Sequence, residues 1–131
     1  MMFLYDTNIV SELVRIKPNT GVVDFSKGIS SIYLSVITIE EIFYGLTAKP
    51  ISKTAQRIER FLDEQVVILP VTSEIAKRAG ELRGLLRTKG SPRSQADMLI
   101  AATAQRHQLT VITRNFKDFE GCGIPLLNPF Q

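Results

Sequence analysis

Short apolar runs alternate along the whole chain with segments in which apolar residues recur at helical spacing. The apolar runs predict β-strands, because each is short and is followed by polar residues or proline. Five strands are predicted, at residues 2–5, 32–35, 66–69, 110–112 and 125–127. The runs lack a polar alternation, so we expect them to be buried on both faces, as in a parallel sheet covered by helices.

Four segments between these strands have apolar residues spaced three or four positions apart, which predicts helices. The apolar positions are Ile39, Ile42, Phe43 and Leu46; then Ile58, Phe61 and Leu62; then Ile75, Ala76, Ala79, Leu82, Leu85 and Leu86; and finally Met98, Leu99 and Ala102. Gly90 and Pro92 end the third helix, and the fourth spans about residues 95–107. This alternation predicts an α/β fold with a central, mostly parallel sheet and helices on both faces.

The composition is that of one soluble globular domain, which we expect to span residues 1–131. The chain has 131 residues, 44% of them hydrophobic and 22% charged. No apolar run approaches the length of a membrane span and no leader peptide is recognisable, so we expect a cytoplasmic protein without a membrane partner. A single Cys and a single His exclude an internal disulfide and a zinc site built from nitrogen and sulfur ligands. Any metal must therefore be held by oxygen.

Acidic residues follow the predicted strands at positions where ligands of parallel sheets collect. Asp6 comes directly after the first strand, although it could instead cap the next helix. Glu40 and Glu41 follow the second strand, where Thr38 and Glu41 match a capping box. Helical geometry alone leaves the choice between the two glutamates open.

Two further candidate positions lie in the last third of the chain. Asp97 is expected in the first turn of an otherwise nearly uncharged helix, after a possible cap at Ser94, and the helix dipole favours its ionised form. Asn115 and Asp118 follow the fourth strand, where a simple turn is the structural alternative. Together these acids would meet at one edge of the sheet. Crowded carboxylates require protons or cations, and hard oxygen ligands favour Mg²⁺ or Mn²⁺, which commonly serve phosphate chemistry.

Basic residues cluster just before Asp97. They are Arg83, Arg87, Lys89 and Arg93, and Arg114 lies beside Asn115. The net charge of +3 is compatible with a polyanionic partner, and cations beside an acidic metal site would suit RNA. A solvated helix face is the structural alternative for this cluster.

The order and spacing of the acids resemble the PIN domain, and in particular the VapC-type ribonuclease toxins. The resemblance covers nearly the whole chain and rests on five segments. These are Leu4-Tyr5-Asp6-Thr7-Asn8, residues 35–42 with Tyr44-Gly45, residues 97–104, residues 111–119 and Asn128-Pro129-Phe130.

The resemblance implies a divalent-metal-dependent endoribonuclease that acts as the toxin of a toxin–antitoxin pair. It implies that Asp6 and Asp97 ligate Mg²⁺ or Mn²⁺, and it selects Glu41 over Glu40. Many members have an acid where this chain has Asn115, and others use the acid three residues later, here Asp118. Asn115 could ligate through its carbonyl oxygen or orient a water, but it adds no charge, so a second ion would bind more weakly. Asp118 could assist as a base.

The resemblance also implies supporting residues and partners. Asn8 and Thr113 would hold the carboxylates in place. The expected partners are an RNA substrate, a VapB-like antitoxin and a second copy of the chain in a homodimer.

Two other functions remain as hypotheses. A receiver-like phosphoacceptor domain is also small, α/β and acidic, but here Asp6 stands alone and the strand at 66–69 ends without an aspartate. A PIN-like module that binds RNA or protein with little turnover is favoured by Asn115 and disfavoured by the three intact acids.

Overall fold

The computed structural model describes residues 2–64 and 66–131. The strands in this part of the chain are β1 (Phe3–Tyr5), β2 (Ile32–Ser35), β3 (Val66–Leu69), β4 (Thr110–Ile112) and β5 (Leu126–Leu127). The helices are α1 (Thr7–Leu13), α2 (Thr20–Lys27), α3 (Val36–Ala48), α4 (Ser52–Asp63), α5 (Ser73–Thr88) and α6 (Gln95–His107). The predicted bounds of β2, β3, β4 and α6 are confirmed.

The strands form one parallel sheet in the order β3-β2-β1-β4-β5. The central strand is β1, in which Leu4 pairs with Tyr33 on one side and with Val111 on the other. The chain therefore builds the sheet outwards from β1 through β2 and β3, and then returns to add β4 and β5 on the opposite side. Ligands of such sheets bind at this reversal, outside the carboxyl ends of the strands. Here it lies between β1 and β4.

Helices cover both faces of the sheet, as predicted. On one face Leu4 packs in a core with α5 and α6, where Ile75 and Ile100 are fully or almost fully buried. On the other face Tyr5 packs with Ile9 of α1 and with apolar residues of α2, α3 and α4. The alternation of β1 side chains thus anchors two separate cores. Within residues 2–64 and 66–131, no helix is both long enough and apolar enough to cross a membrane.

The prediction that every strand is buried on both faces is wrong for β3. Val67 is 40% exposed and Ile68 is 45% exposed. These side chains are exposed because β3 lies at the edge of the sheet, where it pairs only with β2. An apolar run does not distinguish an edge strand from a central one.

Helices α1 and α2 were not among the four predicted helices. They have 7 and 8 residues, about two turns each, and so short a segment holds too few apolar positions to establish a helical period. The N-cap of α2 is Asn19, whose side chain accepts hydrogen bonds from the backbone N–H groups of Gly21 and Val22. Asn is a preferred residue at this position, and it is a local signal for the start of α2.

Gly21 of α2 is expected to be irreplaceable, because segment 128–131 crosses it closely. A Cβ atom at this position would lie 2.3 Å from the backbone oxygen of Pro129. We expect Gly21→Ala to lower the free energy of unfolding by about 2 kcal/mol or more, as overpacked sites do. The matched control is Gly84→Ala in α5, where a Cβ atom meets nothing within 4 Å. This substitution should stabilise the helix by about 0.5–1 kcal/mol, because alanine has the higher helix propensity. Urea denaturation of both variants checks this, and equal effects would contradict it.

Candidate active site

Asp6 is held at the carboxyl end of the central strand by two hydrogen bonds. Its Oδ1 accepts from the backbone N–H of Thr7 at 2.8 Å, so it also caps α1. Its Oδ2 accepts from Oγ1 of Thr113 at 2.9 Å, across the β1–β4 boundary. Only 5% of Asp6 is exposed. The capping role and a place at the centre of an acidic site are therefore compatible, and the sequence had presented them as alternatives.

Glu41, and not Glu40, faces Asp6. Oγ1 of Thr7 donates to Oε1 of Glu41 at 2.6 Å, while Glu40 is exposed. The capping-box interpretation of Thr38 and Glu41 is wrong, because α3 begins at Val36 and its N-cap is Ser35. The helix starts three residues earlier than a capping box at Thr38 would require. The Glu41 carboxylate therefore does not cap the helix and instead accepts the hydrogen bond from Thr7.

Thr7 is a part of the site that was not among the candidate residues predicted from the sequence. Its hydroxyl lies 2.6 Å from the Glu41 carboxylate and 3.2 Å from Oγ1 of Thr38, and its backbone N–H binds Asp6. It therefore links two of the acids. The adjacency of Thr7 to Asp6 was the only signal available, and it does not reveal the contact with α3.

Asp97 lies in the first turn of α6, as predicted. Its backbone N–H donates to Oγ of the N-cap Ser94 at 3.1 Å. The side chain is half-buried. It shares its surroundings with three charged side chains that affect its pKa, which are Asp118, Glu41 and Arg93. The first turn of α6 therefore directs Asp97 to the same edge of the sheet as Asp6.

Asn115 and Asp118 follow β4 on a short 3₁₀ turn at Phe116–Asp118. The backbone N–H of Asn115 donates to Oγ1 of Thr113 at 3.0 Å, the same hydroxyl that binds Asp6. Asn115 is exposed and Asp118 is half-buried. The Thr113 hydroxyl thus binds both the central carboxylate and the backbone of the turn.

Burial and mutual repulsion raise the pKa of two of these acids. The pKa of Asp6 rises to about 6, mainly because the carboxylate is desolvated; the charges of Asp97 and Glu41 add to the rise, and the hydrogen bonds from Thr113 and Thr7 oppose it. The pKa of Asp97 is also raised, first by burial and then by Asp118 and Glu41, against a hydrogen bond with Ser94 and the charge of Arg93. Negative charge is therefore concentrated here beyond what the local hydrogen bonds offset, and a bound cation would relieve it.

Comparison with known proteins assigns the fold to a family. The sequence profile of the PIN domain matches residues 3–120. The chain belongs to the PIN-domain family.

Individual relatives place this PIN domain among the VapC-type toxins, as the resemblance implied. The VapC ribonuclease Y4jK of Sinorhizobium fredii is 32% identical over 99% of both chains. The crystal structure of FitAcB from Neisseria gonorrhoeae is similar with a TM-score of 0.84 and 32% identity, and covers 98% of each chain. The structure of VapBC2 from Rickettsia felis bound to a promoter DNA fragment has a TM-score of 0.86 and 26% identity, again over 98% of each chain.

The oxygen donors of this PIN domain fit a hydrated divalent cation. Within residues 2–64 and 66–131, no three His, Cys, Asp or Glu side chains are close enough to enclose an ion by themselves. Mg²⁺ does not require such a cage, since it usually keeps several waters and binds through one or two carboxylates. The donor set is hard oxygen throughout, which favours Mg²⁺ or Mn²⁺.

The basic residues named from the sequence are not equally close to the acids. Arg93 is half-buried, and its Nε and Nη2 atoms donate to Oγ of Ser91 at 3.3 Å. Its charge opposes the rise in the pKa of Asp97. Arg83, Arg87 and Lys89 are exposed on the end of α5 and just beyond it. Arg93 is therefore the member of the cluster that borders the acidic site.

Asn8 occupies a different place from the one expected. Its side chain is exposed. Within residues 2–64 and 66–131, the Asn8 side chain donates no hydrogen bond to a carboxylate, whereas the Thr7 hydroxyl donates one to Glu41. Asn8 and Asn115 both line one cavity, together with Arg15 and Arg114.

Proposed function

We propose that this PIN domain is a divalent-metal-dependent endoribonuclease and the toxin of a toxin–antitoxin pair. The observation that carries the proposal is the convergence of Asp6, Glu41, Asp97 and Asp118 at the carboxyl edge of the sheet. There the charges of Asp97 and Glu41 add to the raised pKa of Asp6, and the charges of Asp118 and Glu41 add to the raised pKa of Asp97. The ribonuclease name of the Sinorhizobium fredii relative supports the same activity.

Asp6, Glu41 and Asp97 would hold the hydrated cation, one or two of them directly and the rest through its bound water. Asn115 would offer a carbonyl oxygen to a second, weaker position. Once bound, Mg²⁺ or Mn²⁺ would activate water and neutralise charge that develops on the phosphoryl oxygens. Thr113 and Thr7 keep the Asp6 and Glu41 carboxylates oriented through the hydrogen bonds described above, as supporting groups do in metal sites.

Proton transfer and substrate binding fall to the residues around these ligands. Asp118 would accept a proton from the attacking water as the water oxygen forms its bond to phosphorus. The bond from phosphorus to one ribose oxygen would then break, and that oxygen would take up a proton from solvent water. Arg93 and Arg114, with Arg83, Arg87 and Lys89 farther out, would bind phosphates of the RNA backbone. These contacts carry little sequence information, so they position the RNA without selecting it.

The named structural neighbours suggest the partners of this chain. FitAcB and VapBC2 are complexes of the toxin–antitoxin type, and the VapBC2 structure contains promoter DNA. We propose that this chain pairs with a VapB-like antitoxin, works as a homodimer in the cytoplasm, and forms one nuclease domain over residues 1–131.

Cleavage of end-labelled total RNA by the purified protein tests the activity. We expect fragments with Mn²⁺ or Mg²⁺, none with EDTA, and recovery when excess metal is added back. Size-exclusion chromatography and circular dichroism establish that the protein is folded and free of antitoxin. Fragmentation that persists in EDTA would contradict metal dependence. RNA binding without any cleavage would favour the binding module instead.

A further inference from the structure

A cavity of about 500 Å³ has Asn115 as one of its lining residues. The backbone N–H of Asn115 donates to the Thr113 hydroxyl that also binds Asp6, so the cavity lies close to the acidic site. Asn8, Ser11, Glu12, Arg15, Arg114 and Phe130 complete the lining. This volume lies within the range of pockets that bind small ligands, about 300–1,000 Å³. Two arginines outnumber the single carboxylate of Glu12, so the cavity favours an anion where the neighbouring acids favour a cation.

One wall consists of Arg114 stacked on an aromatic ring. The guanidinium carbon of Arg114 lies 4.6 Å from the centroid of the Phe130 ring. This cation–π contact restricts a side chain that is otherwise exposed. Arg114 is thereby preorganised, and its N–H groups remain available to an oxygen ligand.

A buried carboxylate restrains Arg15, the second arginine of the cavity. Nη1 of Arg15 donates to Oε1 of Glu12 at 3.1 Å, and Oε2 of the same Glu12 accepts from the backbone N–H of Asn19 at 2.8 Å. Glu12 is only 7% exposed. Because both oxygens of this carboxylate are already bound, Glu12 restrains Arg15 at the lining of the cavity.

Phe130 is fastened to the body of the domain. The neighbouring Gln131 exchanges two hydrogen bonds with Asn19: its N–H donates to Oδ1 at 3.1 Å, and its carbonyl accepts from Nδ2 at 2.9 Å. The close passage of this segment over Gly21 leaves no space for a side chain there. The aromatic wall is therefore part of the folded structure.

We propose that this cavity is a subsite for one nucleotide of the RNA next to the cleaved bond, with its phosphate bound by Arg114 and Arg15. The proposal rests on the ribonuclease function above. A phosphodiester suits the two arginines, because guanidinium groups bind phosphate oxygens in a bidentate manner. The amide groups of Asn8 and Asn115 can hydrogen-bond the same nucleotide on the side of the acids. Phe130 acts as a positioning residue for Arg114.

Arg114→Met tests the subsite, with Arg60→Met as the matched control. Arg60 is an exposed cation on α4 that does not line the cavity, so both variants lose one positive charge. The substrate is a single-stranded 12-nucleotide RNA that spans a cleavage site mapped on total RNA. We expect Arg114→Met to raise KM about tenfold with little change in kcat, and Arg60→Met to change neither. Arg114→Lys should fall between the wild type and Arg114→Met.

RNAs in which one phosphate is replaced by a neutral group identify the phosphate that Arg114 contacts. A methylphosphonate placed at single positions next to the scissile bond should raise KM for the wild type at one position, and that increase should disappear in Arg114→Met. Phe130→Leu should raise KM about threefold when Arg114 is present, and should add little when it is combined with Arg114→Met. A general loss of stability would instead raise KM by the same factor in both backgrounds.

Binding in EDTA separates this proposal from the nuclease assignment. Fluorescence anisotropy with a random-sequence 12-nucleotide RNA should show weaker binding by Arg114→Met and a salt slope smaller by about 0.7, the value for one phosphate contact on a single strand. Arg114-dependent binding without cleavage would overturn only the nuclease. Normal cleavage with unchanged KM, unchanged affinity and no methylphosphonate effect would overturn the subsite, and is the result expected if the cavity instead receives an acidic protein partner.

Discussion

Glu41→Gln is expected to abolish RNA cleavage, whereas Glu40→Gln should leave it within about twofold of the wild type. The two glutamates are adjacent on α3, but only Glu41 accepts the hydrogen bond from Thr7 and raises the pKa of Asp6. Glu40 is exposed. Loss of one preorganised charge-stabilising group typically costs about 10²–10³ in kcat. We expect a loss at the upper end of this range for Glu41→Gln and for Asp97→Asn.

Initial rates on a labelled RNA with saturating Mn²⁺ measure this difference. Both substitutions remove one negative charge from the same helix turn, so Glu40→Gln controls for charge and for helix propensity. Thermal unfolding of each variant establishes that the fold is retained. Equal losses in Glu40→Gln and Glu41→Gln would contradict the assignment, as would retained turnover in Asp97→Asn.

The sheet could be predicted from the sequence because its strands leave a local signal. Apolar runs closed by polar residues marked β2, β3 and β4 correctly. The exposure of Val67 and Ile68 could not be predicted in this way. Strand order is determined by which elements pair across the whole chain. An exposed edge strand and a buried central strand can therefore have the same local composition.

The candidate site was predicted in part for a related reason. Asp6 follows from the rule that ligands collect at the carboxyl ends of parallel strands, and Asp97 follows from its place in the first turn of an otherwise nearly uncharged helix. The choice of Glu41 over Glu40 depended on family resemblance. It depends physically on where α3 begins, and the sequence suggested a cap at Thr38 where the structure has Ser35.

Contacts between segments that are distant in the sequence could not be predicted from the sequence. Thr7 binds Glu41 across 34 positions of the chain, and Asn19 binds Gln131 across 112. Neither pair has a periodic signature or a recognisable spacing. The supporting hydroxyl and the aromatic wall beside Arg114 are therefore known only from the folded structure.

Asp6→Asn is expected to stabilise the metal-free fold at neutral pH while it abolishes cleavage. The pKa of Asp6 is about 6 in the folded protein, against an ordinary value of 3.8, because the carboxylate is buried beside other acids. A raised pKa means that the folded state binds the proton more tightly than the unfolded state does. Stability contributed by this group is therefore complete below about pH 4 and is lost as pH rises through about 6.

A difference of about two pKa units corresponds to about 3 kcal/mol in the free energy of unfolding. Asparagine avoids this penalty but has only one acceptor oxygen for the hydrogen bonds from Thr7 and Thr113, which costs about 1 kcal/mol. We expect Asp6→Asn to be more stable than the wild type by about 1–2 kcal/mol at pH 7.5 in EDTA. The advantage should vanish near pH 4.

Urea denaturation at several pH values, with and without Mg²⁺, measures this effect. Excess Mg²⁺ should stabilise the wild type and not Asp6→Asn, because only the wild type retains the full set of ligands. The control is Asp24→Asn, an exposed carboxylate on α2 paired with Lys27 at 3.8 Å, which should change stability by less than about 0.5 kcal/mol. A variant less stable than the wild type at every pH would show that the hydrogen bonds of Asp6 outweigh its burial. A wild type indifferent to Mg²⁺ would remove the cation from the role proposed for these carboxylates.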